Sequence, residues 1–146
     1  TLTAGEDSEL CLAIKLAGWK LWYEPELRMR HFIPARRLTW THLRKLYRGF
    51  GAARVYLPLY EDWWEENDYS RTAKLNWFGR MLFSLRDLYG KRRYIFAEFS
   101  EGDSEKLYAE WSVGFFRALL ADGFKYSQKV RRIEALTAAL RRRSGG

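Results

Sequence analysis

The chain holds a single cysteine, Cys11, in 146 residues. One thiol excludes an internal disulfide and a cysteine-based zinc site. It leaves a reducing, cytosolic setting compatible with the composition. Charge-free runs are short: the longest, such as residues 55–60 and 111–116, hold six residues. A membrane-spanning helix needs roughly 20 apolar residues, so none is expected. No signal peptide is expected either, because Glu6, Asp7 and Glu9 crowd the amino terminus. Repeats and low-complexity tracts are absent. There is no initiator methionine, and the chain opens almost on its most informative motif, so a fragment of a larger protein is expected.

At 47% hydrophobic residues the chain can bury a core, and its length suits one domain or part of a larger one. Its net charge of +8 is uneven. Residues 1–70 balance to zero, residues 71–93 carry +6, residues 94–128 carry −3 and residues 129–146 carry +5. Two basic stretches around an acidic one point to an anionic partner surface, either lipid head groups or nucleic acid.

Hydrophobic spacing predicts a first helix over residues 7–17, with Gly18 at its C-terminal cap. Cys11 falls on its apolar face, where a packed thiol is expected. Residues 19–23 and 27–32 read as a pair of short strands, with Pro25 and Pro34 as breaks. Thr39 is placed to cap a long helix through Leu43, Leu46, Tyr47 and Phe50, weakened by Gly49 and Gly51 and ended or kinked at Pro58. Residues 60–69 read as an acidic, aromatic loop or short helix. A third helix is expected over residues 71–89 and a fourth from Asp103 or Ser104 to Gly123. A last one, capped by Ser127, should run to about Leu140 and the arginines beyond it.

Gly5-Glu6-Asp7-Ser8-Glu9-Leu10 sets two adjacent carboxylates at the mouth of the first helix. A carboxylate held there and facing a cleft can accept a proton or help hold a metal, and an acidic helix cap is the plain structural alternative. Glu9 lies about 200° around the helix from Asp7, so a structural pair or solvent is its expected surrounding. His31 at a strand end is either a metal ligand or a hydrogen-bonded structural residue. His42, among Arg44 and Lys45, is expected to be solvated. Arg36 and Arg37 are either a surface pair or a fork for phosphate oxygens. Trp40 either packs or walls a site.

These residues occur in a telling order. Gly5-Glu6-Asp7-Ser8-Glu9-Leu10 is followed by Gly18-Trp19, then Tyr23-Glu24-Pro25, then His31-Phe32-Ile33-Pro34-Ala35-Arg36-Arg37-Leu38-Thr39. Over about residues 4–60 this resembles the C-terminal part of the catalytic domain of bacterial family-2 glycosyltransferases. The resemblance implies a mainly α chain with a short β-strand pair: the C-terminal fragment of an α/β GT-A fold, followed by amphipathic helices. Residues 1–58 would be the acceptor-side end of the catalytic domain and residues 59–146 a basic amphipathic helical region.

It further implies that Asp7 is the base of an inverting sugar transfer, with Glu6 beside it. Arg37, with Arg36, would bind the departing diphosphate, and Trp40 would contact the acceptor. His31 would be one ligand of a divalent metal, Mg or Mn, shared with a preceding region. The implied partners are a nucleotide-sugar donor and a carbohydrate or lipid-linked acceptor, as in cell-envelope polysaccharide synthesis. No D-x-D carboxylate pair and no glycine-rich phosphate loop occurs in the chain, so by itself it is expected to be inactive.

The expected location is the cytoplasm, peripheral to the cytoplasmic face of the inner membrane. The third helix, with basic Arg71, Lys74, Arg80 and Arg86, reads either as a membrane-interface helix or as ordinary core. The alternative class is a non-catalytic basic helical module binding anionic membrane or nucleic acid. Nucleic acid is the less expected partner, because the aromatic clusters lie in acidic or apolar surroundings rather than beside the basic runs.

Overall fold

A computed structural model of the chain describes residues 5–60, 76–96 and 101–144. The described residues form six α-helices: α1 (Glu6–Leu16), α2 (Trp40–Ala53), α3 (Trp77–Gly90), α4 (Arg92–Phe96), α5 (Ser104–Asp122) and α6 (Tyr126–Ser144). Short 3-10 turns lie at Ala35–Arg37, Leu57–Tyr60 and Gly123–Lys125. The protein is mainly helical, as the periodicity indicated.

Local chemistry sets most helix ends. The Thr39 hydroxyl accepts from the His42 amide at 3.2 Å, the Asn76 side chain from the Gly79 amide at 2.9 Å, and Asp103 from the Glu105 and Lys106 amides. Each thereby satisfies a donor that the first helical turn leaves open. At the end of α1 the Gly18 amide donates to Lys15 O and the Trp19 amide to Ile14 O, the paired bonds of a Schellman cap. The last helix departs from expectation. It continues from the 3-10 turn at Tyr126, whose ring is buried, and Ser127 does not cap it.

α2 and α5 form the main interface, α3 and α4 pack on α5, and α6 lies against α1 and the Leu57–Tyr60 turn. The core consists of Val55, Met81, Phe115, Leu119 and Tyr126, with Trp77, Trp111 and Val130 packed against it. α2 and α5 cross so closely that backbone meets backbone. A Cβ on Gly51 would stand 1.9 Å from the Trp111 carbonyl oxygen, and one on Gly114 would stand 2.0 Å from that of Arg48. Gly51 is therefore required by the crossing, where the sequence pattern had read it as a weak point in α2. α2 ends at Ala53, before Pro58, which lies in the following 3-10 turn.

The expected strand pair is absent among the described residues. Residues 19–34 run without helix or strand, held by a turn in which the Leu27 amide donates to Glu24 O. Alternation marks residues that suit a sheet, but a strand exists only where a second edge supplies hydrogen bonds. No such edge faces this run among the described residues. Its apolar side chains stay outside: Trp22 is 86% exposed and Phe32 84%. The GT-A fragment expected from the resemblance has no sheet here to identify it. Cys11 is also exposed, contrary to the packed thiol expected of it. The stretch read as a loop or short helix over 60–69 lies, apart from Tyr60, outside the described residues, as does Arg71. The third helix, expected over 71–89, instead begins at Trp77, because Asn76 is extended and caps it.

Candidate functional site

The residues singled out by sequence cluster at the start of α1 and the approach to α2. Gly5 is the N-cap of α1, at φ 98°, and its carbonyl accepts from the Glu9 amide at 2.9 Å. No side chain caps this helix. The acids are therefore not the cap. Glu6, Asp7 and Glu9 occupy the first turn instead, where the positive end of the helix favours negative charge. A Cβ on Gly5 would stand 2.8 Å from Cβ of Ala53, so the start of α1 lies against the end of α2.

Glu9 is anchored, as its turned-away position implied: Tyr60 Oη donates to Oε1 of Glu9 at 2.6 Å. Burial, with the hydrogen bond and charge of Glu9 adding to it, pushes the Tyr60 hydroxyl up to about 12, so it stays a donor at neutral pH. This pair and the contact of α1 with α6 hold the helix in place. Glu6 and Asp7 are left on its exposed side.

Arg36 and Arg37 occupy the 3-10 turn after Pro34, where the Arg37 amide donates to Pro34 O at 2.8 Å. Both are exposed. The same turn feeds Thr39, whose hydroxyl also donates to Arg36 O, so the arginine pair is fixed relative to α2. Trp40, the first residue of α2, is half-buried. His31 is exposed in the extended run, and His42 is half-buried on α2. No hydrogen bond or ion pair among the described residues joins Asp7, His31 and Arg37. A metal shell needs several ligands converging. The described residues hold no group of three or more His, Cys, Asp or Glu that could supply one. The residues present therefore do not by themselves fit a metal.

Two polar clusters escaped the sequence reading. In the first, Glu110 of α5 is 4% exposed and receives two guanidinium groups from α2. Arg44 reaches Oε1 through Nη2 at 2.5 Å and Nε at 2.7 Å, and Arg48 Nε reaches Oε2. Burial by itself pushes the Glu110 carboxyl up. The hydrogen bonds and charges of Arg48 and Arg44 outweigh burial and hold it below the usual carboxylate range. A cleft of about 100 Å³ opens beside this cluster, bordered also by Lys106, whose Nζ donates to Tyr94 O and Ile95 O. Arg44 and Arg48 were legible as an i, i+4 pair. Their partner, more than sixty residues on, was marked only as one acid in an apolar helix.

In the second cluster, Arg80 is 0% exposed in the core. Its Nη1 donates to Val55 O at 2.7 Å and Tyr126 Oη at 2.6 Å, and its guanidinium lies 5.2 Å from the centre of the Phe115 ring. Aromatic faces partly offset the loss of water around that charge. By sequence, Arg80 is one of the basic residues around the apolar face of a helix that reads either as a membrane-interface helix or as ordinary core. The structure turns it inward. Nearby, Tyr56 Oη donates to Asp122, and burial, with that hydrogen bond adding to it, pushes the Tyr56 hydroxyl well above its ordinary value.

No protein-family profile, curated protein or solved structure matches this chain.

Proposed function

We propose that this chain carries the acceptor-side portion of an inverting glycosyltransferase, one that moves a sugar from a nucleotide-sugar donor to an acceptor hydroxyl. The acceptor would be a carbohydrate or a lipid-linked precursor, worked on at the cytoplasmic face of a membrane. The observation that carries the reading is the ordered motif set laid on three consecutive structural features. The Gly5-Glu6-Asp7 start opens α1, an uncovered aromatic run follows, and the Pro34-to-Thr39 turn leads into α2. Exposed Trp19, Trp22, Met29 and Phe32 support it, since a sheet belonging to a larger catalytic domain would cover such a run.

In this reading the acceptor hydroxyl loses its proton to the Asp7 carboxylate as its oxygen bonds to the anomeric carbon. The bond from that carbon to the diphosphate oxygen breaks with inversion, and the electron pair leaves with the diphosphate. Asp7 suits the role because it stands exposed in the first turn of α1, where the positive end of the helix favours negative charge. Glu6 orients the acceptor from the neighbouring position. Arg37, with Arg36, forks onto the departing phosphate oxygens, and Trp40 supplies an apolar wall for the acceptor. His31 would be a single ligand to a divalent metal, Mg or Mn, whose remaining ligands lie outside this chain.

Asp7→Asn in the full-length enzyme is expected to lower turnover by at least about a hundredfold, the usual worth of a positioned base, with nucleotide binding nearly intact. Steady-state kinetics beside nucleotide titration checks this, and substantial residual turnover removes Asp7 from the role. His31→Ala is expected to weaken Mn affinity by about tenfold or more. A metal titration unchanged by the substitution makes His31 a structural residue.

A further inference from the structure

α3 carries two apolar faces, and only one of them is used. Met81 is buried toward the core, where Trp77 packs against it and its Nε1 donates to Leu119 O at 2.9 Å. Phe78, Leu82, Leu85 and Tyr89 are 48–69% exposed. At 100° per residue these four fall within a sector of about 60°, a continuous stripe along the helix. Phe96 at the end of α4 adds a further ring, 85% exposed.

Charge says what this stripe faces. Over residues 76–96 the sole acid is Asp87, on the side of α3 opposite the stripe and paired with Lys91 at 2.8 Å. Exposed Arg86 borders the stripe about 40° beyond Leu82. Exposed Arg92 and Arg93 stand at its end, their guanidinium groups 4.2 Å from the Tyr89 ring centre and 4.4 Å from that of Tyr94. Aromatic rings, short apolar side chains and guanidinium groups that make no ion pair among the described residues suit the boundary between acyl chains and anionic head groups.

We propose that the outer face of α3, continued by Phe96 of α4, is a membrane-docking surface for anionic lipid. Phe78, Leu82, Leu85 and Tyr89 enter the interface while Arg86, Arg92 and Arg93 lie on lipid phosphates. This gives the membrane-peripheral part of the proposed function a location. It rests on that reading only for its biological setting, because lipid binding is measured without turnover.

The test is sedimentation of the full 146-residue chain with phosphatidylcholine vesicles containing about one-third phosphatidylglycerol, and with neutral vesicles, over about 0.05–0.5 M salt. Binding to anionic vesicles that weakens with salt is expected. Leu82→Gln/Leu85→Gln should reduce partitioning about tenfold or more. Arg92→Gln/Arg93→Gln should reduce it roughly fivefold per arginine and flatten the salt dependence. Both pairs are exposed, so unchanged circular dichroism is expected. Leu136→Gln, on the exposed side of α6, should leave binding unaltered.

The proposal is overturned by equal binding to neutral vesicles, by no binding at low salt, or by loss through Leu136→Gln instead. It is overturned too if Leu82→Gln/Leu85→Gln only dissolves a dimer in analytical ultracentrifugation. Oligonucleotide binding that depends on the arginines and ignores the leucines, without vesicle binding, overturns it as well. A transferase lacking Asp7 activity would still bind vesicles, which separates failure of this surface from failure of the enzymatic reading.

Discussion

Gly114→Ala and Gly51→Ala are each expected to destabilise the protein by about 3 kcal/mol, lowering its melting temperature by roughly 10 °C. A helix interior ordinarily gains from this exchange, since alanine is favoured over glycine by about 1 kcal/mol. Here the added methyl would meet Arg48 O at 2.0 Å or Trp111 O at 1.9 Å. A carbonyl inside a helix cannot rotate away, so the two helices must separate. Separation would loosen Phe115 and Leu119, which pack in the core from α5. It would also lengthen the bonds from Arg44 and Arg48 to Glu110. Gly90→Ala is the control. Nothing lies within 4 Å of a Cβ there, so stability should hold or rise slightly. Thermal melts of the three variants check the prediction. Equal melting temperatures for Gly114→Ala and Gly90→Ala would mean that the helices do not cross as described.

Glu110→Gln is expected to cost about 2–3 kcal/mol at neutral pH. The cost stays below that of stranding a fully buried charge, because Arg44 and Arg48 are 33% and 40% exposed and can turn to water. Acid should act in the same direction. The folded protein holds the Glu110 carboxyl below its ordinary value, so the unfolded chain takes up a proton first as pH falls. The stabilisation is complete above the unfolded pKa, near about 4.3. It fades as pH drops through the folded value. Urea melts at pH 7 and through the acid range should show wild type losing stability to acid more steeply than Glu110→Gln. Parallel acid limbs would remove Glu110 as a contributor.

Most helix positions and several of their ends were legible because they depend on residues a few places apart, whereas the short α4 at Arg92–Phe96 was not. Thr39 and Asp103 cap helices through their own side chains, and Gly18 closes α1 through two backbone bonds. The acids of α1 were legible as a first-turn cluster, but Gly5 as the cap was not. Its role depends on a left-handed backbone and on the nearness of Ala53. The polar link between α2 and α5 was illegible because Arg44 and Glu110 are brought together only by the crossing. Cys11 misled for a related reason: an apolar stripe says that a face can be covered, and α1 is covered only in part.

The amino-acid order alone determined where most helices lie, where the surplus positive charge lies, and which carboxylates open α1. Those properties are set by neighbours along the chain. Folding alone decided that Arg80 turns inward while Phe78, Leu82, Leu85 and Tyr89 face out, although all five lie on one amphipathic helix. A helix with more apolar surface than one neighbour can cover must leave some outside, and only the packing partner selects which. The missing strand pair follows from the same cause. The patterns at residues 19–23 and 27–32 equip them for a sheet, and a sheet forms only against a second edge.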